Sequence, residues 1–185
     1  LGGGLILVLT PLLALTADQM VNAAKFGIRT ERFDSTLDFK AKAQILDRIM
    51  DNDFPVLFTT PESLSGSGWI SARLRTILKE RLWIAVIDES HYCISARSYR
   101  AAYGRVGQIL IQLQPLATYV CTATCEPWRQ EALLNVCALQ NSLVIRHSPA
   151  RPNLAHTHCM RSPETLIRIL DRHQGQRVIV YVATV

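Results

Sequence analysis

Two adjacent carboxylates, Asp88 and Glu89, directly follow the apolar run Leu82–Ile87. An apolar run rich in Ile and Val is typical of a strand buried on both faces of a parallel sheet. Ligands of such sheets bind beyond the carboxyl ends of the strands, where two acids could hold a hard cation such as Mg2+ together with substrate phosphates. Asp88 could equally be the N-cap of a following helix, because Asp is favoured there. The pair alone leaves both interpretations open.

Short polar motifs also follow three other apolar runs. They are TPLLALTADQ from Thr10, TTPESL from Thr59 and CTAT from Cys121, and they accompany DESH from Asp88. Each is weak evidence by itself, since Thr-Pro after a strand is usually only a turn. Four such motifs in order, at the carboxyl ends of successive strands, are much more specific, because parallel sheets bind ligands at that edge.

Strand-like and helix-like patterns alternate along the chain. Apolar runs predict strands at Leu5–Leu9, Pro55–Thr59, Leu82–Asp88, Thr118–Cys121, Leu143–Arg146 and Arg177–Val182. Helical spacing predicts helices at residues 12–26, 37–50, 69–81, 99–113, 126–139 and 163–173. This alternation indicates an α/β fold in which helices cover both faces of a parallel sheet.

The composition is that of an ordinary folded protein. With 185 residues, 49% of them hydrophobic and 19% charged, the chain can form one domain, or one domain and part of another. The net charge of +5 permits an anionic partner such as nucleic acid without demonstrating one. Five cysteines without a CxxC pair argue against a disulfide framework or a zinc site and fit a reducing compartment.

The apolar N-terminus could be misread as a signal peptide or membrane anchor. It has no basic region before it, it is too short to span a bilayer, and Pro11 interrupts it, so a strand and a helix are favoured. Because the chain begins at Leu1 without a Met, we expect a fragment of a longer protein. Further along, the polar, proline-containing stretch 146–158 is typical of a linker; His156 and His158 within it lack partners at metal-ligand spacing.

In this order, the motifs resemble the motor of superfamily-two helicases, and most closely the RecQ family of ATP-dependent DNA helicases. RPNL, from Arg151, strengthens the resemblance, because RecQ helicases similarly carry Arg-Pro-Asn between their two motor domains. The resemblance implies a RecA-like, three-layer α/β/α fold of the P-loop NTPase type. Residues 1–148 would form the first RecA-like domain, and residues 149–185 the linker and the beginning of the second.

The resemblance also implies a role for each motif. Asp88 and Glu89 match the DEAH-type box, in which the Asp helps to hold Mg2+ on the ATP phosphates and the Glu activates the attacking water. His91 would couple this site to Thr122 and Thr124. The motifs after the first two predicted strands would contact the DNA backbone, and their residues are Thr10, Pro11, Gln19, Thr59, Thr60, Pro61 and Glu62. Arg151 and Asn153 would lie between the motor domains.

SYRAAY, from Ser98, resembles the aromatic-rich loop that RecQ helicases place after the DEAH box. Tyr99, Arg100 and Tyr103 take its positions, where rings stack on bases and the guanidinium binds phosphate. Tyr99 and Tyr103 are also spaced as i and i+4, so they could form one apolar helix face. The neighbouring DESH motif favours the interpretation as a DNA-binding loop.

Three features depart from the family pattern. The chain contains no G-x-x-x-x-G-K-[ST] loop, and LGGG lacks the required Lys and Ser or Thr. In the family that loop lies upstream of the first strand predicted here, so truncation is favoured over loss, and we expect this chain alone to hydrolyse little ATP. Ser90 replaces the Ala of DEAH, with little expected effect. The aromatic loop is shortened, and Arg97, Arg100 and Arg105 could compensate through charge, which would make binding salt-dependent.

The predicted function is that of a fragment of a RecQ-like helicase that uses ATP and Mg2+ to move 3′ to 5′ along single-stranded DNA and to unwind duplexes in DNA repair and recombination. Its expected location is intracellular, in the bacterial cytoplasm or the eukaryotic nucleus, without a membrane partner. The alternatives are another superfamily-two motor acting on RNA, or an inactive helicase relative that only binds nucleic acid or a protein. An unrelated nucleotide-binding α/β protein would not explain four ordered motifs.

Overall fold

A computed structural model of the chain describes residues 4–95, 101–148, 150–160 and 162–181. The chain divides into two compact units, Leu1–Ile145 and Arg146–Val185. The sequence predicts a domain boundary after residue 148, whereas the compact units divide after Ile145. Within the described residues, none of the helices combines the length and the apolar character needed to cross a membrane.

The first unit contains a parallel sheet of five strands. The strands are β1 (Leu5–Leu9), β2 (Thr30–Phe33), β3 (Val56–Thr59), β4 (Leu82–Ile87) and β5 (Ala117–Val120). They are arranged in the order β2-β3-β1-β4-β5, and every neighbouring pair is parallel. The predicted strands that correspond to β1, β3, β4 and β5 are confirmed, with ends displaced by a residue at most.

Two strand predictions are wrong for the described residues, and one strand was missed. Residues 143–146 and 177–181 are not in strands, and Leu143 and Ile145 are 87% and 76% exposed. An apolar run forms a strand only beside a partner strand, and none of the described strands pairs with either segment. The missed strand is β2, an edge strand of mostly polar residues in which only Phe33 is buried.

Each predicted helix has a counterpart in the structure. The helices are α1 (Leu13–Lys25), α2 (Phe39–Met50), α3 (Pro61–Ser65), α4 (Trp69–Arg81), α5 (Tyr92–Ser95), α6 (Val106–Leu113), α7 (Pro127–Val136) and α8 (Pro163–Arg172). The short helices α3 and α5 were not predicted. The predicted helix 99–113 begins, among the described residues, as a 3₁₀ turn at Tyr103–Arg105 that leads into α6.

Helices lie on both faces of the sheet, which confirms the predicted α/β fold. The chain passes from β1 to the edge strand β2 through α1 and then returns across the sheet through α2, α4 and α6. Because parallel crossovers are right-handed, α1 lies on one face and the returning helices lie on the other. Leu5, Leu7 and Leu9 are buried, whereas the intervening Ile6 and Val8 are partly exposed. The main core therefore lies between the sheet and the layer formed by α2, α4 and α6.

The packing of α6 against α7 depends on Gly107. A Cβ atom at this position would lie 2.3 Å from the carbonyl oxygen of Val136 and 3.1 Å from the backbone nitrogen of Ala138. Backbone atoms cannot move aside as the end of a side chain can, so only glycine allows the two helices to approach this closely.

The described part of the second unit contains one helix, α8. Its N-cap is Ser162, whose hydroxyl oxygen accepts a hydrogen bond from the backbone N–H of Thr165 at 3.1 Å. Satisfying one of the free N–H groups of the first turn is what fixes the start of a helix. None of the residues of α8 is buried.

Candidate active site

Backbone hydrogen bonds hold the motifs side by side at the carboxyl edge of the sheet. The N–H of Asp88 donates to the carbonyl oxygen of Leu9 at 2.9 Å, and the N–H of Thr10 donates to that of Thr59 at 3.1 Å. The N–H of Ser90 donates to the carbonyl of Cys121 at 2.9 Å. These bonds continue the strand pairing beyond the ends of β1, β3, β4 and β5. The four sequence motifs therefore meet at one edge, as parallel strands require.

Both carboxylate oxygens of Asp88 accept hydrogen bonds. Its Oδ2 accepts from the carboxamide Nε2 of Gln19 at 2.8 Å, and its Oδ1 accepts from the backbone N–H of Glu89 at 2.9 Å. Gln19 lies on α1, so this bond joins the helix after β1 to the acid after β4. The other carboxamide atom, Oε1 of Gln19, is buried and has no hydrogen-bond partner among the described residues.

Glu89 has a backbone conformation that is uncommon for a residue with a side chain. Its φ angle is +48°, in the left-handed region, two residues after β4 ends at Ile87. Such conformations are destabilising and are retained where the surrounding structure holds them, often at functional sites. The turn directs the chain away from the sheet edge while the N–H groups of Asp88 and Ser90 remain bound to neighbouring strands.

His91 lies between Glu89 and the CTAT motif. Its Nδ1 is 3.3 Å from Oε2 of Glu89 and 3.1 Å from the hydroxyl of Thr122. The Thr122 hydroxyl donates to the carbonyl oxygen of Thr124 at 3.1 Å and accepts from the Thr124 N–H at 3.2 Å. Because that hydroxyl proton is already used, the network assigns the proton between His91 and Thr122 to Nδ1. The predicted connection of His91 with Thr122 is present, and Thr124 participates through its backbone.

Two small side chains complete this edge. Ser90 is fully buried, and its hydroxyl has no hydrogen-bond partner among the described residues. Cys121 is exposed as a residue, but desolvation of its thiol raises the pKa, and the negative charge of Asp88 raises it further. The pKa of the Cys121 thiol therefore depends in part on the negative charge of Asp88.

The predicted DNA-contacting threonines lie mostly inside the protein. The side chain of Thr59 is 2% exposed, and its hydroxyl donates to the carbonyl oxygen of Phe33 at 2.5 Å, which ties β3 to β2. The hydroxyl of Thr60 accepts from the N–H of Ser63 at 3.4 Å and caps α3. Thr10 is 1% exposed. These hydroxyls are not available to phosphate oxygens in this structure, because the fold itself uses or encloses them.

The remaining members of the predicted DNA-contacting set differ in exposure. Pro11 and Pro61 are buried, and Glu62, the second residue of α3, is exposed. Gln19 binds Asp88, as described above, so the structure brings it into the acidic site. This contact cannot be predicted from the sequence, because Gln19 and Asp88 are 69 residues apart and meet only through the position of α1 on the sheet.

Tyr103 is fully buried, which does not suit the predicted stacking on a DNA base. Its ring packs against Tyr92 with a centroid distance of 6.0 Å, and Tyr92 packs against His91 at 4.5 Å. Tyr103 thus supports the position of His91 from the core, which agrees with the alternative that it belongs to an apolar face. Tyr99 and Arg100, together with Arg97, lie outside the described residues.

Arg151 and Asn153 are exposed residues of the second unit. The carbonyl oxygen of Arg151 accepts from the N–H of Leu154 at 2.9 Å, which closes a turn around Pro152. Their interdomain role stays a prediction.

The model of the DEAD/DEAH box helicase family matches residues 1–132. The match covers the sheet and all four motifs at its carboxyl edge. The chain therefore belongs to the DEAD/DEAH box helicase family.

Within that family, similar curated proteins confirm the resemblance to RecQ. The ATP-dependent DNA helicase RecQ of Synechocystis is 27% identical over 201 residues, covering 100% of this chain and 40% of the relative. The protein of the same name from Pasteurella multocida is 26% identical over 182 residues, covering 96% of this chain and 28% of the relative. A putative ATP-dependent RNA helicase of Acanthamoeba polyphaga mimivirus is also 26% identical, over 96% of this chain and 32% of its own length. This chain thus spans less than half the length of each of these relatives.

Among solved structures, the C-terminal part of the Fun30 ATPase domain is similar with a TM-score of 0.41 and 12% identity, covering 76% of this chain and 41% of that one. A TM-score of this size does not define a fold, and the fold is defined here by the parallel sheet and the family match.

Proposed function

We propose that this chain is part of the motor of a RecQ-like, ATP-dependent DNA helicase that moves 3′ to 5′ along single-stranded DNA and unwinds duplexes in DNA repair and recombination. Residues 1–148 are its first RecA-like domain, and residues 149–185 are the linker and the beginning of the second. The observation that carries the proposal is the continuous set of contacts from Gln19 through Asp88 and Glu89 to His91 and Thr122. The whole protein acts inside the cell, in the bacterial cytoplasm or the eukaryotic nucleus.

The residues at Asp88 fit a magnesium ion that is held mainly through ATP phosphates and water. Mg2+ in such sites usually has one or two carboxylate ligands and keeps several waters. Asp88 would supply the carboxylate, and Gln19, which binds that carboxylate through Nε2, has in its buried Oε1 an acceptor without a partner among the described residues. The ion would neutralise charge that develops on the phosphates during transfer. Gln19 would keep the carboxylate of Asp88 oriented.

Glu89 would act as the general base. Its carboxylate would accept a proton from the attacking water, and the single Nδ1–H of His91, shared between the Thr122 hydroxyl and Oε2 of Glu89, would hold that carboxylate in place. His91 also contacts Thr122, so a change at the nucleotide site would be transmitted to the CTAT motif after β5. This connection is a short, hydrogen-bonded path between the two motifs. It would allow ATP hydrolysis to alter contacts made by the second motor domain.

DNA is the proposed partner because the named RecQ relatives are DNA helicases. The net charge of +5 suits a polyanion. The main alternative is a motor that acts on RNA, which the similarity to the mimivirus protein favours. An inactive relative that only binds nucleic acid is the second alternative. The retained Asp88 and Glu89 argue against it, because binding alone does not require two carboxylates at a strand end.

A strand-displacement assay tests the proposal. The gene product that contains this chain would be given ATP, Mg2+ and duplexes of equal length that carry a 3′ tail or a 5′ tail, in DNA and in RNA. The proposal predicts ATP-dependent displacement from the 3′-tailed DNA duplex only. Displacement only from RNA would establish the RNA motor, and binding without displacement from any duplex would establish the inactive relative.

A further inference from the structure

Two large aromatic side chains stack on each other at the protein surface. Phe39 and Trp69 are 66% and 64% exposed, and their ring centroids are 6.0 Å apart with an interplanar angle of 28°. Phe39 is the first residue of α2, and Trp69 is the first residue of α4. A solvent-exposed pair of this size is uncommon, because aromatic rings contribute most to stability when they are buried.

The pair is not needed to hold α2 and α4 together. The buried residues of both helices lie further along, at Ile45, Leu46 and Ile49 of α2 and at Leu74, Ile77 and Leu78 of α4. These side chains form part of the main core. The outer surfaces of the two rings therefore remain open for another molecule.

The pair lies at the same edge of the sheet as the sequence motifs. In parallel crossovers, a helix that follows a strand begins near the carboxyl end of that strand. α2 follows β2, and α4 follows β3 through the short α3 that begins at Pro61. A hydrogen bond joins α4 to the residue that follows α3: Nη1 of Arg75, on α4, donates to the carbonyl oxygen of Gly66 at 2.8 Å. A strand of nucleic acid crossing the motifs would reach the pair by continuing past β3.

The charges around the pair suit a polyanion. Lys42 and Arg73 lie three and four residues after Phe39 and Trp69, on the same helix faces as the rings. Neither helix has an acidic residue in its first turn, where the N–H groups and the helix dipole favour anions. The nearest carboxylate in sequence, Asp38, caps α2 by accepting from the N–H of Ala41 at 2.7 Å.

We propose that Phe39 and Trp69 form a base-stacking platform for single-stranded DNA, with Lys42 and Arg73 neutralising the adjacent phosphates. Aromatic rings beside cations bind single strands with little sequence preference, because every base offers a π face. The proposal rests on the proposed function, since it extends the path of the DNA from the motif edge past β3. It assigns the DNA contact to side chains that are exposed to solvent, whereas Thr10, Thr59 and Thr60 are buried.

Tryptophan fluorescence and binding affinity test the platform on this chain. Trp83→Phe and Trp128→Phe together leave Trp69 as the only tryptophan, which is then titrated at low salt with oligo-dT of about 12 nucleotides. The affinity for a labelled oligo-dT is measured in parallel for Phe39→Ala, Trp69→Ala and Trp69→Phe. Leu116→Ala is the matched control, because Leu116 is 81% exposed, is apolar and lies at the opposite, amino end of β5. Thermal unfolding of each variant verifies folding.

The platform predicts quenching of Trp69 on DNA addition and affinity about tenfold lower for each alanine variant, with most affinity restored in Trp69→Phe and no change in Leu116→Ala. Binding with unchanged affinity in the alanine variants and no quenching would overturn the platform and leave the proposed function intact. Failure of the unmodified chain to bind oligo-dT would overturn the platform, whereas the strand-displacement assay of the whole gene product tests the proposed function separately. A Trp69 signal that depends on protein concentration alone would overturn the platform by assigning the surface to a second copy of this chain.

Discussion

At the scale of single residues, Asp88 connects α1 with the turn that follows β4. It accepts hydrogen bonds from Gln19 and Glu89, and its charge raises the pKa of the Cys121 thiol. The sequence motif indicated that Asp88 is functional. It could not indicate the bond to Gln19, because that bond depends on how α1 is rotated over the sheet.

The alkylation rate of Cys121 reports the negative charge of Asp88. Asp88→Asn removes a negative charge that raises the pKa of the thiol, so the pKa falls and the thiolate fraction at pH 8 rises. We expect iodoacetamide to label Cys121 roughly two- to fivefold faster in this variant. Mass spectrometry of the labelled peptides measures the rate, and the exposed Cys159 of the second unit is the internal control. An unchanged ratio of the Cys121 and Cys159 rates would contradict the arrangement described here.

Ser90 stands where the family pattern has Ala. Its hydroxyl is buried and lacks a hydrogen-bond partner among the described residues, which is costly in free energy. We therefore expect Ser90→Ala to increase the free energy of unfolding by about 1 kcal/mol, as measured by urea denaturation. Ser67→Ala, at an exposed loop position, is the control and should change little. A less stable Ser90→Ala protein would mean that the hydroxyl has a partner.

At the scale of elements, the apolar runs predicted the three inner strands β1, β3 and β4 and the edge strand β5, because apolar stretches have few alternatives to burial in a sheet. β2 was missed because Glu31 and Arg32 leave it without an apolar run. Side chains of neighbouring elements stabilise β2: the hydroxyl of Thr59 donates to the carbonyl oxygen of Phe33, and Arg48 forms an ion pair with Glu31. Neither contact can be deduced from spacing in the sequence.

The contact of α6 with α7 depends on one glycine. Gly107→Ala would place a Cβ atom 2.3 Å from the carbonyl oxygen of Val136, so the helices would have to separate. We expect a loss of about 2 kcal/mol in the free energy of unfolding, although Ala is intrinsically the better helix former. Gly68→Ala is the matched control, because nothing lies within 4 Å of the position of its Cβ atom. Equal stability of the two variants would contradict the close packing.

At the scale of the whole molecule, the order of the motifs along the chain indicated the family, and the family match and the sheet topology agree with it. The structure adds which motif residues are accessible. The buried hydroxyls of Thr59 and Thr60 bind the backbone of Phe33 and Ser63. The ring of Tyr103 packs on Tyr92, which packs on His91. Burial is a property of the assembled layers, so a motif match can identify important positions without indicating what their side chains contact.

The proposed function requires that Glu89 be the base that activates water at an ATP site beside Asp88. The most direct test is ATP turnover, with and without single-stranded DNA, by the protein that contains this chain and by its Glu89→Gln variant. We predict that Glu89→Gln retains ATP binding, measured with a fluorescent ATP analogue, and loses turnover by a factor of about 10² or more. The control is Glu131→Gln, on the exposed side of α7, which should behave as the unmodified protein. DNA-stimulated turnover that survives Glu89→Gln would contradict the account.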